Sequence, residues 1–397
     1  MLKKVPVTQL SVGMYLHALE GNWLDHPFWR NGFLIEDART LKKVLESGVE
    51  HCFIDVDKGE DAPVRPEPEP THPSTPPPAP KRKRVSLTEE IQSATKLRAR
   101  SAQIMRDLFG QLRLGKAIDP ASCSALVNEV AESIDRHPDA FRSLARLKTA
   151  DEYTYMHSVT VCALMVSLAR QLEMDEAQCR EAGLAGMLHD LGKAVMPQDI
   201  LNKPGKLTPE EFDIIKQHPR RGYELLLEAK DIPSGALDVC LHHHERFDGT
   251  GYPDRLSGEG ISVLARMGAI CDVYDAVTSN RPYKAGWDPA FALTQMASWQ
   301  GHFDRQLFQS FIRCIGIYPT GSLVRMRSGR LAVVVEQNAE ALTKPKVKQF
   351  FSTKSNEPIK PLVVDLSAAD ARDQIEALES NEKWRFTYLN ELWDGRR

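Results

Sequence analysis

The sequence predicts a mainly α protein, a helical body with a small α/β domain before it and a small β-rich segment after it. Three observations predict this. From Ser86 onward apolar residues recur at three- and four-residue steps, the period of a helix buried along one face. Between Asp61 and Arg84, prolines at 63, 66, 68, 70, 73, 76, 77, 78 and 80 interrupt every regular element. After Pro319 the pattern changes to short β-branched runs separated by turn residues. At about 150 residues per domain, 397 residues correspond to two or three domains.

Residues 1–60 combine short β-like runs, Leu16–Leu19 and His51–Val56, with a helical stretch from Asp37 to Ser47 closed by Gly48. Trp23, Phe28, Trp29 and Phe33 are expected to form most of the core of so small a domain, rather than a ligand cage or partner surface. Residues 61–85 are a semi-rigid, solvated linker of polyproline character. It ends in Lys81-Arg82-Lys83-Arg84, a charge run read as solvated rather than as a localisation tag or an anionic-surface contact.

The helical body spans 86–319. Ser86-x-x-Glu89 is a capping box, and Ala94, Leu97, Ser101, Ile104 and Leu108 stripe one face of the helix it opens. That stripe suits packing within the chain as well as pairing of two subunits. Further helices are predicted over Pro120–His137, Tyr155–Leu172, Asp175–Leu191, Pro209–Lys216, Arg220–Glu228, Pro233–His244, Ser262–Ser279 and Pro289–Gln300. In 320–397, Ser322–Arg327, Arg330–Glu336 and Pro361–Leu366 read as strands. No internal repeat is present.

Composition excludes several classes. With 51 Lys+Arg against 54 Asp+Glu the formal charge is −3, so there is no global basic field for a nucleic-acid polymer. The longest apolar run, near Val159–Ala169, is too short to cross a bilayer, and no membrane insertion is expected. Lys3 and Lys4 have no apolar stretch behind them, so no secretory signal is read and a cytoplasmic location is expected. The seven cysteines are scattered without a CxxC pair and read as reduced core residues, which argues against a disulfide or zinc-finger scaffold.

Five of the twelve histidines and two aspartates fall where one polar cluster could form inside the helical body: His157, His189-Asp190, His218, His243-His244 and Asp272. His189 and Asp190 close an otherwise apolar helix, where two ionisable neighbours are costly to bury unless a metal ion compensates them. Adjacent helical residues point about 100° apart, so His189 can face one ion while the two oxygens of Asp190 reach two, a binuclear arrangement. His157 by itself reads as an ordinary buried histidine. The triplet His242-His243-His244, ahead of Glu245 and a Gly-rich loop, makes at least one of the three a ligand. His218 precedes Pro219, which places it at a break between helices, free to turn inward. Asp272 lies in an apolar helix with Asp275 one turn later, and the pair could flank the metals or Asp275 could orient a ligand. Imidazole and carboxylate ligands without thiolate suit iron, manganese, nickel or zinc in a catalytic rather than a stapling role.

Five segments in order resemble the HD-GYP domain, the subgroup of HD phosphohydrolases whose members degrade cyclic di-GMP. They are Tyr153-Thr-Tyr-Met-His157-Ser158, His189-Asp190-x-x-Lys193, His218-Pro219, His243-His244-Glu-Arg-Phe-Asp-Gly249-Thr-Gly251-Tyr252-Pro253, and Asp272-Val-Tyr-Asp275-Ala-x-Thr-Ser-x-Arg281-Pro-Tyr-Lys284. The resemblance covers about residues 145–315 and implies an HD-type helical bundle; residues 1–60 look like the uncharacterised domain that often precedes it.

It implies metal ligation by His157, His189, Asp190, His218, His243, His244 and Asp272, with Asp190 bridging two divalent ions, Fe or Mn first and Ni or Zn also compatible. Members with a third metal use a glutamate one turn before the first histidine; Tyr153 stands there and Glu152 is offset by one, so two metals are expected. Lys193 matches a lysine near the metal-bound water that stabilises a phosphoryl oxygen, with a dipole-capping role beside it. Arg281 and Lys284 match phosphate contacts. Gly251 and Tyr252 sit in a loop that lets backbone and ring approach the substrate, or that forms a tight turn around a packed ring.

The implied activity is a cyclic di-GMP phosphodiesterase in which a metal-bridged hydroxide attacks in line, yielding pGpG and, on a second cut, GMP. The alternatives are a phosphodiesterase for a related cyclic dinucleotide such as cyclic GMP-AMP, and a weakly active cyclic di-GMP-binding adapter. A homodimer, or a contact with a signalling protein through residues 1–60, is also compatible with this reading.

Overall fold

The computed structural model describes residues 2–19, 33–35, 37–45, 51–60, 85–116, 118–146, 153–279, 286–338 and 340–394. The chain divides into two compact units, 1–81 and 82–397. In the first, strands β1 (Leu2–Pro6), β2 (Tyr15–Leu19), β3 (Phe33–Leu34) and β4 (His51–Asp55) form an antiparallel sheet in the order β1-β4-β2-β3, joined by helix α1 (Ala38–Leu45). Its described core is aliphatic, built from Val5, Val7, Leu10, Met14, Leu16, Ile35, Val44, Cys52 and Ile54. Trp23, Phe28 and Trp29, Gly48, the side chain of Phe33, the linker and Lys81–Arg84 lie outside the described residues.

The second unit begins with α2 (Leu87–Arg113), opened by the Ser86–Glu89 capping box. The expected stripe turns inward: Ala94, Leu97, Ser101 and Leu108 are buried, and α2 packs on α3 (Pro120–Arg136), α4 (Pro138–Arg146) and α5 (Tyr153–Gln171). Packing within the chain therefore accounts for the stripe. α5 is buried continuously from Met156 to Ala169, as a helix apolar on all sides must be, and it carries the central contacts to α6 (Glu176–Leu188) and α11 (Val263–Thr278). Between them run α7 (Gln198–Leu201), α8 (Pro209–Ile215), α9 (His218–Glu228) and α10 (Ser234–His242); α12 (Pro289–Ser298) and α13 (Arg305–Ile315) complete the body. Neither α4 nor α13 was expected from the sequence. Among the described residues no helix is long and apolar enough to cross a membrane.

After Pro319, β5 (Leu323–Met326), β6 (Arg330–Glu336), β7 (Lys346–Ser352), β8 (Glu357–Asp365) and β9 (Ile375–Leu378) form an antiparallel sheet ordered β8-β7-β6-β5-β9. β6 is buried on both faces: Leu331, Val333 and Val335 pack with Phe350 and Trp393, while Ala332 and Val334 pack with Val324 and Met326. β7 and β9 extend the three strands expected from the sequence, and the short α14 (Asn381–Trp384) follows the sheet. All seven cysteines are free and six are buried, as read from their apolar surroundings.

Candidate metal centre

Helix ends deliver most of the polar cluster. His157 lies in the first turns of α5, and Asp272 and Asp275 lie one turn apart on α11. His189 is the C-cap of α6, and Asp190 (φ −101, ψ 9) lies in the turn before a 3-10 helix, Leu191–Val195. The predicted helix thus stops three residues early, at Leu188, and the pair is presented from its open end rather than from its side. His218 opens α9, with Pro219 in the first turn where its missing N–H costs nothing. His243 caps α10 and His244 follows it. His189, Asp190, His218, His243, His157 and Asp272 are all buried.

Their donor atoms converge in two sets. His157 Nε2 lies 2.9 Å from Asp272 Oδ1 and 3.4 Å from Asp190 Oδ2, and His189 Nε2 lies 3.3 Å from His157 Nε2 and 3.5 Å from Asp190 Oδ2. On the other side, His218 Nε2 lies 3.2 Å from Asp190 Oδ1 and 3.3 Å from His243 Nε2, and His243 Nε2 lies 3.7 Å from the same oxygen. His218, His243 and His244 have ligand atoms within 4.8 Å of one another. Asp190 therefore turns one oxygen to each set.

The protonation pattern tests whether this set fits a cation. His189 Nδ1 bonds the Gly186 carbonyl at 2.8 Å, His218 Nδ1 that of Ile215 at 2.7 Å, and His243 Nδ1 that of Val239 at 3.0 Å. A carbonyl only accepts, so each Nδ1 carries the hydrogen, and each of these rings in its neutral form presents a bare lone pair at Nε2. Lone pairs of His218 and His243 then face each other beside a carboxylate oxygen, and Asp190 Oδ1 is buried without a well-formed hydrogen bond. Such an arrangement is stable around a shared cation and repulsive without one. Ligands about 2.1 Å from a metal stand roughly 3.0–3.5 Å apart in octahedral or tetrahedral geometry, close to the separations found.

Electrostatics agree. Burial, reinforced by the neighbouring imidazoles, holds His243 far below its ordinary value, and the same causes bring His244 to about 3. Burial also keeps His218 low despite its contact with Asp190. Burial would raise Asp190, but the Lys193 ammonium and nearby histidines hold it well below the usual carboxylate range; Asp272 is held down, against its burial, by His157 and His189. Neutral imidazoles and ionised carboxylates are the states that bind metals. His157 differs: burial opposes its charge, yet bonds to Asp190, Asp272 and Asp275 raise it to about 10.

Asp275 Oδ2 accepts from His157 Nδ1 at 2.6 Å, which directs Nε2 at the cluster; this is the geometry of a partner that orients His157 rather than of a member of the donor set. Asp275→Asn is expected to keep the fold and to lower both metal affinity and turnover by about 10–100-fold. Metal titration followed by kinetics at saturating metal checks this, and an unchanged affinity would remove Asp275 from the supporting role.

Lys193 Nζ donates to Asp190 Oδ2 at 2.6 Å. Tyr252 stacks on His244, ring centroids 4.7 Å apart, and burial raises its hydroxyl pKa. Gly251 is buried against its own chain: a Cβ there would meet Arg246 N at 2.4 Å, so the glycine serves the folding of the loop over residues 245–246. Arg281, Lys284 and Glu152 lie outside the described residues, as does the side chain of Tyr153. His242 turns away from the cluster, pairing with Asp238 at 2.6 Å and Asp254 at 3.2 Å. A cavity of about 840 Å³ lies over His243, His244 and Tyr252, within the range of a small-molecule site.

Other residues had no chemical signature in the sequence. Gly192 lets the 3-10 helix touch α9, since a Cβ would lie 1.9 Å from His218 O. Gly186 does the same between α6 and α5, with 2.9 Å to Val161 O. Buried Arg266 and Asp304 pair at 2.6 Å and tie α11 to α13. The Asp238–His242 pair has a local signal that could have found it, the helical i,i+4 spacing.

The class is that of the metal-dependent HD hydrolases, which the family models and the full-length curated relative show. The family model described as "HD domain" matches residues 130–307, and that described as "Domain of unknown function (DUF3391)" matches 2–123. A cyclic di-GMP phosphodiesterase of Pseudomonas aeruginosa is 52% identical over 398 residues, covering 100% of this chain and 96% of its own. A cyclic di-GMP phosphodiesterase response regulator of Xanthomonas campestris pv. campestris is 42% identical over 180 residues, 43% of this chain and 47% of that protein. Among solved structures, an HD-GYP-like protein from Bdellovibrio bacteriovorus aligns over 78% of this chain and 98% of its own, at 16% identity and a TM-score of 0.47. The chain belongs to the HD-GYP family of HD-domain phosphodiesterases.

Proposed function

We propose that this chain hydrolyses cyclic di-GMP, opening the ring to pGpG, with two divalent ions held by His157, His189 and Asp272 and by His218, His243 and His244, and with Asp190 shared between them. The division of Asp190's two oxygens between two donor sets carries this assignment. Similarity along the full chain to a cyclic di-GMP phosphodiesterase supports the substrate. When bound, such ions supply Lewis acidity, activating a water and spreading the charge of the phosphodiester. The donor set, without thiolate, suits iron, manganese, nickel or zinc, and the family resemblance favours iron or manganese among them.

The chain's own residues do the rest. Asp275 fixes the tautomer and direction of His157. Lys193, 22% exposed and beside Asp190, offers an ammonium where charge develops on a phosphoryl oxygen. Tyr252, packed on His244, limits water at the cavity floor. Arg281 and Lys284 complete this reading as phosphate contacts, and a second cut would release GMP.

Product chromatography after incubation with Mn(II) or Fe(II) under reducing conditions tests the proposal on cyclic di-GMP, cyclic GMP-AMP and pGpG. The expected result is pGpG from cyclic di-GMP, and none from a protein carrying both His189→Ala and Asp190→Ala. A wild type no faster than that double variant defeats the enzyme, and faster cleavage of cyclic GMP-AMP reassigns the substrate.

A further inference from the structure

A cyclic dinucleotide carries two phosphodiesters and two bases. In-line cleavage brings one phosphodiester to the metal donors, so the second phosphate and the bases must lie against the cavity walls. Phe212 of α8 and Lys216, the residue that caps its C-terminal end, stand there. Phe212 is 47% exposed, far more than an aromatic packed for stability, yet it lines the cavity shared with His243, His244 and Tyr252. Lys216, one turn later on the same face and also lining the cavity, places its ammonium 5.0 Å from the Phe212 ring centroid. Among the described residues it pairs with Asp213 at 2.5 Å, a side chain 70% exposed, and so a weak competitor for a phosphate.

The platform is rigid and registered to the metal centre. Thr208 and Glu211 form a capping box with Pro209 in the first turn, and Lys203 grips both oxygens of Glu211 at 2.7 Å. Lys216 is two residues from His218, so the wall and the donor set are joined by a short stretch of chain. Of the other rings in the cavity, Tyr252 is stacked on His244 and His302 on Trp299. Phe212 is the ring whose partner is a cation, and its exposure leaves a face for a base.

We propose that Phe212 stacks on a guanine of the cyclic dinucleotide while Lys216 pairs with the phosphodiester that is not being cleaved. The identity of the ligand rests on the reading above; the wall itself is a binding claim and is tested as one. Every base has a π-face and aromatic stacking is strong enough to be read in affinity; a lysine adds a salt-dependent phosphate contact.

The full chain is compared with Phe212→Ala, Phe212→Trp and Lys216→Met in two measurements. One is kinetics with Mn(II) on cyclic di-GMP and on bis(p-nitrophenyl) phosphate, a diester without nucleobases. The other is calorimetric binding of cyclic di-GMP to chelator-treated protein, which does not depend on turnover. Phe212→Ala is expected to raise KM and Kd for cyclic di-GMP about tenfold with kcat within about twofold, and Phe212→Trp to restore both. Lys216→Met is expected to raise them about fivefold and to flatten their salt dependence. The nucleobase-free diester should be cleaved at the wild-type rate by all three. Unchanged KM and Kd in Phe212→Ala and Lys216→Met overturn the wall, as does a parallel fall in cleavage of the simple diester. A wild type that binds cyclic di-GMP without cleaving it overturns the phosphodiesterase reading, and the same tenfold criterion on Kd then decides the wall. A wild type that neither binds nor cleaves it overturns both, and one that cleaves it but does not bind it without metal leaves the KM criterion to decide the wall.

Discussion

Asp190→Asn is expected to lower hydrolysis of cyclic di-GMP by about a thousandfold or more and to reduce bound metal from about two ions per chain to about one or fewer. The amide keeps the volume of the carboxylate, so the buried cluster remains filled. It replaces one oxygen by an NH2 that cannot ligate, and it removes the negative charge that Lys193 and four imidazoles surround. Asp190 brings an oxygen within 3.5 Å of a histidine nitrogen in each donor set, so its loss acts on both, whereas loss of His157 or His218 acts directly on one. Elemental analysis of protein purified without added metal, alongside circular dichroism, separates site loss from unfolding. A folded Asp190→Asn protein that retains two ions and wild-type turnover would remove the shared-ligand assignment.

Gly192→Ala, a single methyl added to a residue that offers no ligand atom, is expected to cost about 3 kcal/mol of stability and to weaken metal binding with it. The new Cβ would stand 1.9 Å from His218 O and 2.6 Å from Gly222 N. Both obstacles are backbone, so no side chain can swing aside; the 3-10 helix carrying Lys193 and the start of α9 carrying His218 have to separate. Asp190 directly precedes that 3-10 helix and lies 3.2 Å from His218, so the separation acts on the contact between them. Gly260→Ala is the matching control, because a Cβ there meets nothing within 4 Å; it should shift stability by no more than about 0.5 kcal/mol. Urea unfolding followed by metal analysis reads both effects. Equal midpoints for Gly192→Ala and the wild type would show that the close approach is not needed.

Much of the molecule was legible in the chain. The Ser86–Glu89 box and the stripe behind it are local signals, and α2 starts and buries its face where they indicate. The donors were legible because histidine and aspartate are conspicuous in apolar helical runs. Elements with mixed patterns were missed. β7 reads Lys-Val-Lys-Gln-Phe-Phe-Ser, in which lysines mask the alternation, and its burial comes from β6 and β8 on either side. The early end of α6 was also missed, because the apolar period runs on through Leu191 while the backbone leaves the helix at Asp190.

By itself the sequence determined the residue types that can hold cations, their order along the chain, and the helical spacings that aim them from element ends. Those properties depend on side-chain chemistry and local backbone preference, which travel with the residues. Tertiary structure alone decided that Asp190 divides its oxygens, that His242 faces away while His243 and His244 face in, that Asp275 supports His157 from behind, and that Phe212 stands bare in the cavity. Each of these depends on how closely two distant backbones approach, and that distance is set by glycines such as Gly186 and Gly192, whose contribution is the absence of a side chain.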